Sequence, residues 1–195
     1  MIYMKKILIL LCLASLFLLF FLQFNSISKT NSFLEEKISQ VLSSMTIEEK
    51  IGQMLILYET HSKVDEEVLS LFHKIKPGGI ILNQENITTY ENTKNYIEKV
   101  KSLNDIPLIV SVDQEGGRVQ RLQLLEDLAP TYLPSMREIG DTKDSALAYE
   151  VGKILAKQVK TLGINVVYAP VCDIVTSEQN TGIGNRRFGN TPTLV

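Results

Sequence analysis

The sequence is poor in the residues that most often announce a chemistry. It has only two cysteines, Cys12 and Cys172, and the first lies in a terminal apolar stretch. The folded part therefore holds one thiol and no internal disulfide, and stability must come from packing. There are two histidines, His61 and His73, and neither sits in a Ser-His-Asp, metal-ligand or acid-base pattern, so no metal and no cofactor is expected. His73 reads as a surface helix residue, and His61 follows a strand with no partner in sight. Basic excess is missing too: the formal net charge is −2, with no basic stripe to neutralise phosphates, which excludes nucleic acid as the main partner. The first apolar run of the globular part leads into Met54-Leu-Ile-Leu-Tyr-Glu-Thr-His61, which contains no glycine, so a dinucleotide-binding fingerprint is absent.

What is present begins with an export pattern. Lys5 and Lys6 precede an apolar run from Ile7 to Leu22, after which polarity returns at Gln23 and Asn25. Residues 1–24 read as a signal peptide or membrane anchor that places the remainder outside the cytoplasm, extracellular or on the outer face of the membrane. The run is long for a signal core and short for a span of about 20 residues, so cleavage and retention both stay open. If uncleaved, this segment makes the membrane a partner. Residues 25–32 are a polar, serine-rich linker, and residues 33–195 are the globular part.

In that part, with 45% hydrophobic residues over the whole sequence, strand and helix patterns alternate. Short continuous apolar runs occur at Met54 to Tyr58, Gly79 to Leu82, Leu108 to Val112 and Ile164 to Tyr168. Helical spacing separates them, from Val64 to Ile75, Tyr90 to Leu103 and Leu147 to Leu162. An earlier helical pattern covers Phe33 to Met45, and Thr46-Ile-Glu-Glu49 is a capping box for a second short helix. Breakers at Pro77-Gly78-Gly79, Pro107 and Gly163 end the helices. The fold class is α/β, and the continuous strands predict burial on both faces of a parallel sheet. Four strand-helix units are the first half of a (β/α)8 barrel of TIM type, which usually needs about 250 residues. The rival, a complete doubly wound sheet, lacks its glycine fingerprint. The expectation is that the chain presents half of such a barrel and ends before the rest.

In a parallel barrel the functional groups lie at the carboxyl ends of the strands. Three such ends are polar here: Asp113-Gln114-Glu115-Gly116-Gly117-Arg118-Val119-Gln120-Arg121, Ala169-Pro170-Val171-Cys172-Asp173, and Gly182-Ile-Gly-Asn-Arg186-Arg187-Phe188. A carboxylate at a strand end can accept two hydroxyl hydrogen bonds from one pyranose ring, and charge-assisted bonds are about twice as strong as neutral ones. Gly116 and Gly117 permit a turn that brings Arg121 back over the pocket.

These segments, with Pro77-Gly-Gly-Ile-Ile-Leu82 and Glu85-Asn86-Ile87, resemble glycoside hydrolase family 3 in order and spacing from about Met45 to Val195. The Asp113 to Arg121 stretch is similar to its β-N-acetylhexosaminidase branch; β-glucosidase members show a histidine-glycine instead. The resemblance implies that Asp113, Arg121 and Arg186 bind a carbohydrate substrate, an N-acetylglucosamine-containing glycan. Where the family usually has serine, this sequence has Arg187, and which arginine faces the pocket is left open. Glu115 is expected to order the loop, Asp173 to be either a contact or a turn residue, and Asn86-Ile-Thr88 fits a glycan acceptor of little weight. The resemblance further implies an aspartate nucleophile, a His-Asp acid/base pair and a Lys-His pair, all later than the Arg-x-Phe segment. No catalytic residue is therefore assigned in this chain: it is expected to carry the clamp without the catalyst. The implied activity is release of terminal β-N-acetylglucosamine from cell-wall-type glycans by a retaining mechanism. A membrane-tethered, non-catalytic carbohydrate binder and a β-glucosidase-like member are the alternatives.

Overall fold

The computed structural model describes residues 33–128, 130–174 and 182–195; the expected export segment and linker, residues 1–32, lie outside them. Among the described residues no helix is long and apolar enough to cross a membrane. The described residues divide after Lys50 into two units, each taken by itself.

In the first unit, helix α1 covers residues 33–44, and its apolar residues Phe33, Leu34, Ile38, Val41 and Leu42 are exposed. The capping box expected ahead of α2 (Ile47–Gln53) forms. The Thr46 N–H donates to Glu49 Oε2 at 2.9 Å and the Glu49 N–H donates to Thr46 Oγ1 at 3.2 Å, so two otherwise orphaned amides are satisfied reciprocally.

The second unit alternates strand and helix: β1 (Ile56–Tyr58), α3 (Glu66–Ile75), β2 (Gly79–Leu82), α4 (Tyr90–Lys101) and β3 (Ile109–Val112). A small hairpin, β4 (Gln114–Gly116) and β5 (Val119–Gln120), leads into a 3-10 turn at Arg121–Leu124. Then come α5 (Met136–Thr142), α6 (Ser145–Thr161), β6 (Val166–Val167) and a 3-10 turn at Gly184–Arg186. Strands β1, β2, β3 and β6 form one parallel sheet in that order. Each new strand joins the same advancing edge, so the order never reverses as it must in a doubly wound sheet. This is the winding of a barrel.

Local chemistry sets the boundaries. The helical pattern from Val64 begins as a helix only at Glu66, because the Asp65 carboxylate accepts the Glu67 and Val68 N–H groups, which is what an N-cap does. At its other end Lys76 takes the left-handed conformation, φ 48°. Strand β6 is shorter than the run Ile164 to Tyr168 because the Asn165 side chain enters the ladder. Its Oδ1 accepts the Val110 N–H at 2.8 Å and its Nδ2 donates to the Leu108 carbonyl at 3.1 Å. Helix α5 was not legible from periodicity, although Ser135 and Glu138 form a capping box.

The expectation of two-sided burial is corrected. One sheet face, with Ile80, Leu82, Val110 and Val112, is buried with Phe72, Ile97, Val100 and Val159 in a single cluster. On the other face Ile56, Tyr58 and Ile109 stay exposed. Right-handed crossovers place every helix on the same side of a sheet wound in one direction, and the remaining face is the one a closed barrel keeps inside.

Candidate functional site

Strand β3 delivers Asp113 to the carboxyl edge of the sheet, and the hairpin after it turns back sharply. Gly116 and Gly117 have φ of 100° and 55°, and a Cβ on Gly116 would stand 2.3 Å from the Pro134 carbonyl oxygen. Both conformation and space therefore demand glycine at Gly116. The hairpin is fastened to the segment before α5. The Gln120 side chain donates to the Leu133 carbonyl and accepts the Leu133 N–H, at 2.9 and 3.0 Å, and the Gly117 N–H also donates to the Leu133 carbonyl. Gln114, wholly buried, accepts the Leu122 N–H at 3.1 Å.

This returning path brings Arg121 to Asp113. The guanidinium Nη2 lies 3.8 Å from Asp113 Oδ2, with side chains 32% and 30% exposed. Both are accessible from solvent and neither is consumed by a close ion pair. The Arg121 Nε is buried with no hydrogen-bond partner.

Arg186 arrives from the distant 3-10 turn, whose next residue, Arg187, forms a parallel bridge with Val171. Glu115 receives Arg186 in a two-pronged pair, Nε to Oε2 at 2.8 Å and Nη2 to Oε1 at 2.7 Å. Glu115 is only 2% exposed, so the loop-ordering role expected for it takes the form of a buried anchor. Its hydrogen bonds raise the Arg186 pKa above the usual value, and the charges of Asp113 and Asp173 add to the rise. Arg186 thus sits in the electrostatic reach of Asp113. Arg187 turns to its own loop, donating to Asn190 Oδ1 and to the Gly184 carbonyl, both at 2.9 Å. The two arginines thus differ in their partners: Arg186 pairs with Glu115 of the hairpin that follows Asp113, and Arg187 with its own loop.

One expectation, that His61 lacks a partner, is overturned behind β1, and the little weight given to a glycan acceptor at Asn86 agrees with that residue's burial. His61 does have partners. Its Nδ1 lies 2.9 Å from Glu59 Oε2, and Asp65 and Glu67 stand 3.8 and 3.6 Å from its Nε2. Asn86 does not serve as a glycan acceptor in the folded chain. It is buried, its Nδ2 donates to the Glu59 carbonyl, to Glu59 Oε1 and to the His61 carbonyl, and its Oδ1 accepts the Asn83 N–H. Tyr96, from α4, also donates to Glu59 Oε1. The sequence could not reveal the Asn86 and Tyr96 pairings, because they join residues about 25 to 37 positions apart, whereas the carboxylates beside His61 lie within six positions of it.

The Glu59 hydrogen bond is the largest cause of a raised His61 pKa; the Asp65 and Glu67 charges add, and partial desolvation opposes. A ring titration by NMR is expected to give a value above the usual histidine value of about 6.5, and Glu59→Gln should lower it. Because the folded value is raised, the stabilisation is complete below about pH 6.5 and is lost as pH rises through the folded value. A wild-type pKa at or below 6.5 contradicts the pairing.

At the mouth, the Tyr58 hydroxyl donates to Glu85 Oε2 at 3.2 Å. The Glu85 carboxyl is held below its ordinary value chiefly by its own backbone N–H, with Gln84, Tyr58 and the Arg121 charge adding. From the sequence neither Tyr58 nor Glu85 is a candidate for substrate binding, although Glu85 lies in a segment that carries the resemblance.

Comparison with known proteins gives a consistent result. The profile of the Glycosyl hydrolase family 3 N terminal domain matches residues 46–195. Beta-hexosaminidase LpqI of Mycobacterium tuberculosis is 32% identical over 148 residues, 75% of this chain and 36% of that protein. A beta-hexosaminidase of Nitrosomonas eutropha is 36% identical over 151 residues, 74% of this chain and 42% of that protein. Among solved structures, NagZ from Neisseria gonorrhoeae in complex with N-trifluoroacetyl-D-glucosamine superposes with a TM-score of 0.64 at 32% identity, over 72% of this chain and 42% of that one. A family 3 beta-N-acetylglucosaminidase from Paenibacillus sp. gives 0.71 at 30% identity, over 77% and 29%. The chain therefore spans 36–42% of the length of these two curated relatives.

Proposed function

The chain belongs to glycosyl hydrolase family 3, and from that premise we propose that it holds a terminal β-N-acetylglucosamine residue for hydrolysis of its O-glycosyl bond by a retaining mechanism. The observation that carries this reading is the Asp113–Arg121 pair at the carboxyl end of β3, with the Glu115–Arg186 pair beside it on the hairpin that follows. Asp113 accepts ring hydroxyls and the two guanidiniums donate to the acetamido carbonyl or to hydroxyls; such charged hydrogen bonds contribute about 1.5–3 kcal/mol each. The names of the relatives, beta-hexosaminidase and beta-N-acetylglucosaminidase, support N-acetylglucosamine as the sugar, and a cell-wall-type glycan as its source is part of the proposal.

Retaining hydrolysis needs two carboxyl groups about 5–5.5 Å apart across the scissile bond. Here Asp113 and Glu115 each face an arginine, the arrangement of a holder, and no residue of the chain is assigned as nucleophile or acid. A second reading is a carbohydrate binder without turnover. Incubation of the purified chain with aryl β-N-acetylglucosaminide and aryl β-glucoside, beside a binding titration with N-acetylglucosamine, separates the possibilities. The expected result is saturable binding with no turnover above background. Turnover would place catalytic groups within the 195 residues, and failure to bind would remove the clamp.

Residues 1–24 are proposed to carry the chain out of the cytoplasm, on the strength of Lys5-Lys6 and the apolar run that follows. A fusion of residues 1–30 to a reporter active only outside the cytoplasm should be active. A soluble, inactive fusion contradicts the placement.

A further inference from the structure

The three-residue clamp leaves Tyr58 and Glu85 unused, yet the fold invests a buried polar network in placing them. Two dipeptides are built alike, Tyr58-Glu59 at the end of β1 and Glu85-Asn86 after β2. In each, one residue enters the buried node and its neighbour is left toward the mouth. Asn86 donates to both the carbonyl and the carboxylate of Glu59, at 3.0 Å each. The Glu59 carboxylate also takes the Tyr96 hydroxyl and the His61 backbone N–H. A buried network satisfied this fully holds its members in one arrangement, and a half-satisfied one would be costly. The two strand ends are thereby locked side by side.

What the lock presents is a phenol ring, 54% exposed, on the sheet face that the helices leave open, with a carboxylate 3.2 Å from its hydroxyl. An aromatic face covers the C–H side of a pyranose while a carboxylate accepts its hydroxyls. Partial desolvation and then Glu85 raise the Tyr58 pKa, so the phenol remains a donor at neutral pH. Glu85 feels the Arg121 charge, and Arg121 in turn faces Asp113. Strands β1, β2 and β3 are neighbours in the sheet, so Tyr58, Glu85 and the Asp113–Arg121 pair follow one another in a row along its carboxyl edge. Neighbouring strands are about 4.8 Å apart, which makes the row roughly 10 Å long, wider than the stretch between Asp113 and Arg121.

We propose that Tyr58 and Glu85 form a second sugar-contacting pair, which receives the ring linked to the one held at Asp113. This rests on the clamp reading above. The test is a titration of the isotope-labelled full chain with N-acetylglucosamine and with N,N′-diacetylchitobiose, followed by NMR. The disaccharide should bind about tenfold more tightly than the monosaccharide, a gain equal to one good charged contact. Tyr58→Ala should abolish that gain and leave monosaccharide affinity within about twofold of wild type. Tyr58→Phe, which keeps the ring and guards against a folding defect, should retain part of the gain, as should Glu85→Gln. If the two sugars bind wild type equally, or Tyr58→Ala keeps the gain or weakens both sugars alike, the pair is overturned and the clamp stands. If neither sugar binds, both fall together.

Discussion

Glu115→Ala is expected to cost about 2–3 kcal/mol of stability and to release the 182–189 segment from the β4–β5 hairpin. The carboxylate is buried and makes both bonds to Arg186, and breaking a buried pair by removing one partner typically costs about 3–5 kcal/mol. The lower figure follows because the Arg186 side chain is about a third exposed, so water replaces part of what it loses. Glu115→Gln keeps the volume and one acceptor and should cost roughly half as much. Urea unfolding of the three proteins gives the order directly. Equal stability of wild type and Glu115→Ala would mean that the pair does not anchor the loop.

The second large effect concerns affinity. Asp113→Ala should weaken binding of N-acetylglucosamine about ten- to a hundredfold, the loss of one or two charged hydrogen bonds, while thermal stability stays near wild type. Asp113 sits at a strand end, and its contact with Arg121 is a loose 3.8 Å. Arg121→Ala and Arg186→Ala should act in the same direction and combine with Asp113→Ala less than additively, as residues sharing one ligand do. Arg187→Ala is the control. Its guanidinium is engaged by Asn190 and Gly184, and affinity should change less than about twofold. The reverse pattern, with Arg187→Ala severe and Arg186→Ala silent, would shift the clamp by one residue.

Much of this arrangement was legible in the sequence because it depends on short-range rules. Continuous apolar runs gave the four sheet strands, and Pro77-Gly78-Gly79 and Gly163 gave helix ends. Gly116-Gly117 gave the turn that brings Arg121 back over the pocket. The different partners of Arg186 and Arg187 were beyond reach, since the partner that sets them apart, Glu115 on Arg186, lies 71 positions away, while Arg187 bonds Asn190 in its own loop. The node of Glu59, Asn86 and Tyr96 was hidden for the same reason. A glutamate after a strand and an asparagine in an Asn-x-Thr triplet look exposed until the chain closes on them. Helix α5 was missed for a different cause. At seven residues it is too short to display a period, although its Ser135 to Glu138 capping pair could have been read.

The most direct test of the central claim, that the carboxyl end of β3 holds the sugar, is amide chemical-shift mapping of the chain with N-acetylglucosamine. Saturable shifts concentrated in residues 113–121 and 184–187, and absent in Asp113→Ala, are expected. No saturable shifts, or shifts confined to the groove of Met136, Val151, Leu155 and Pro170, would contradict it.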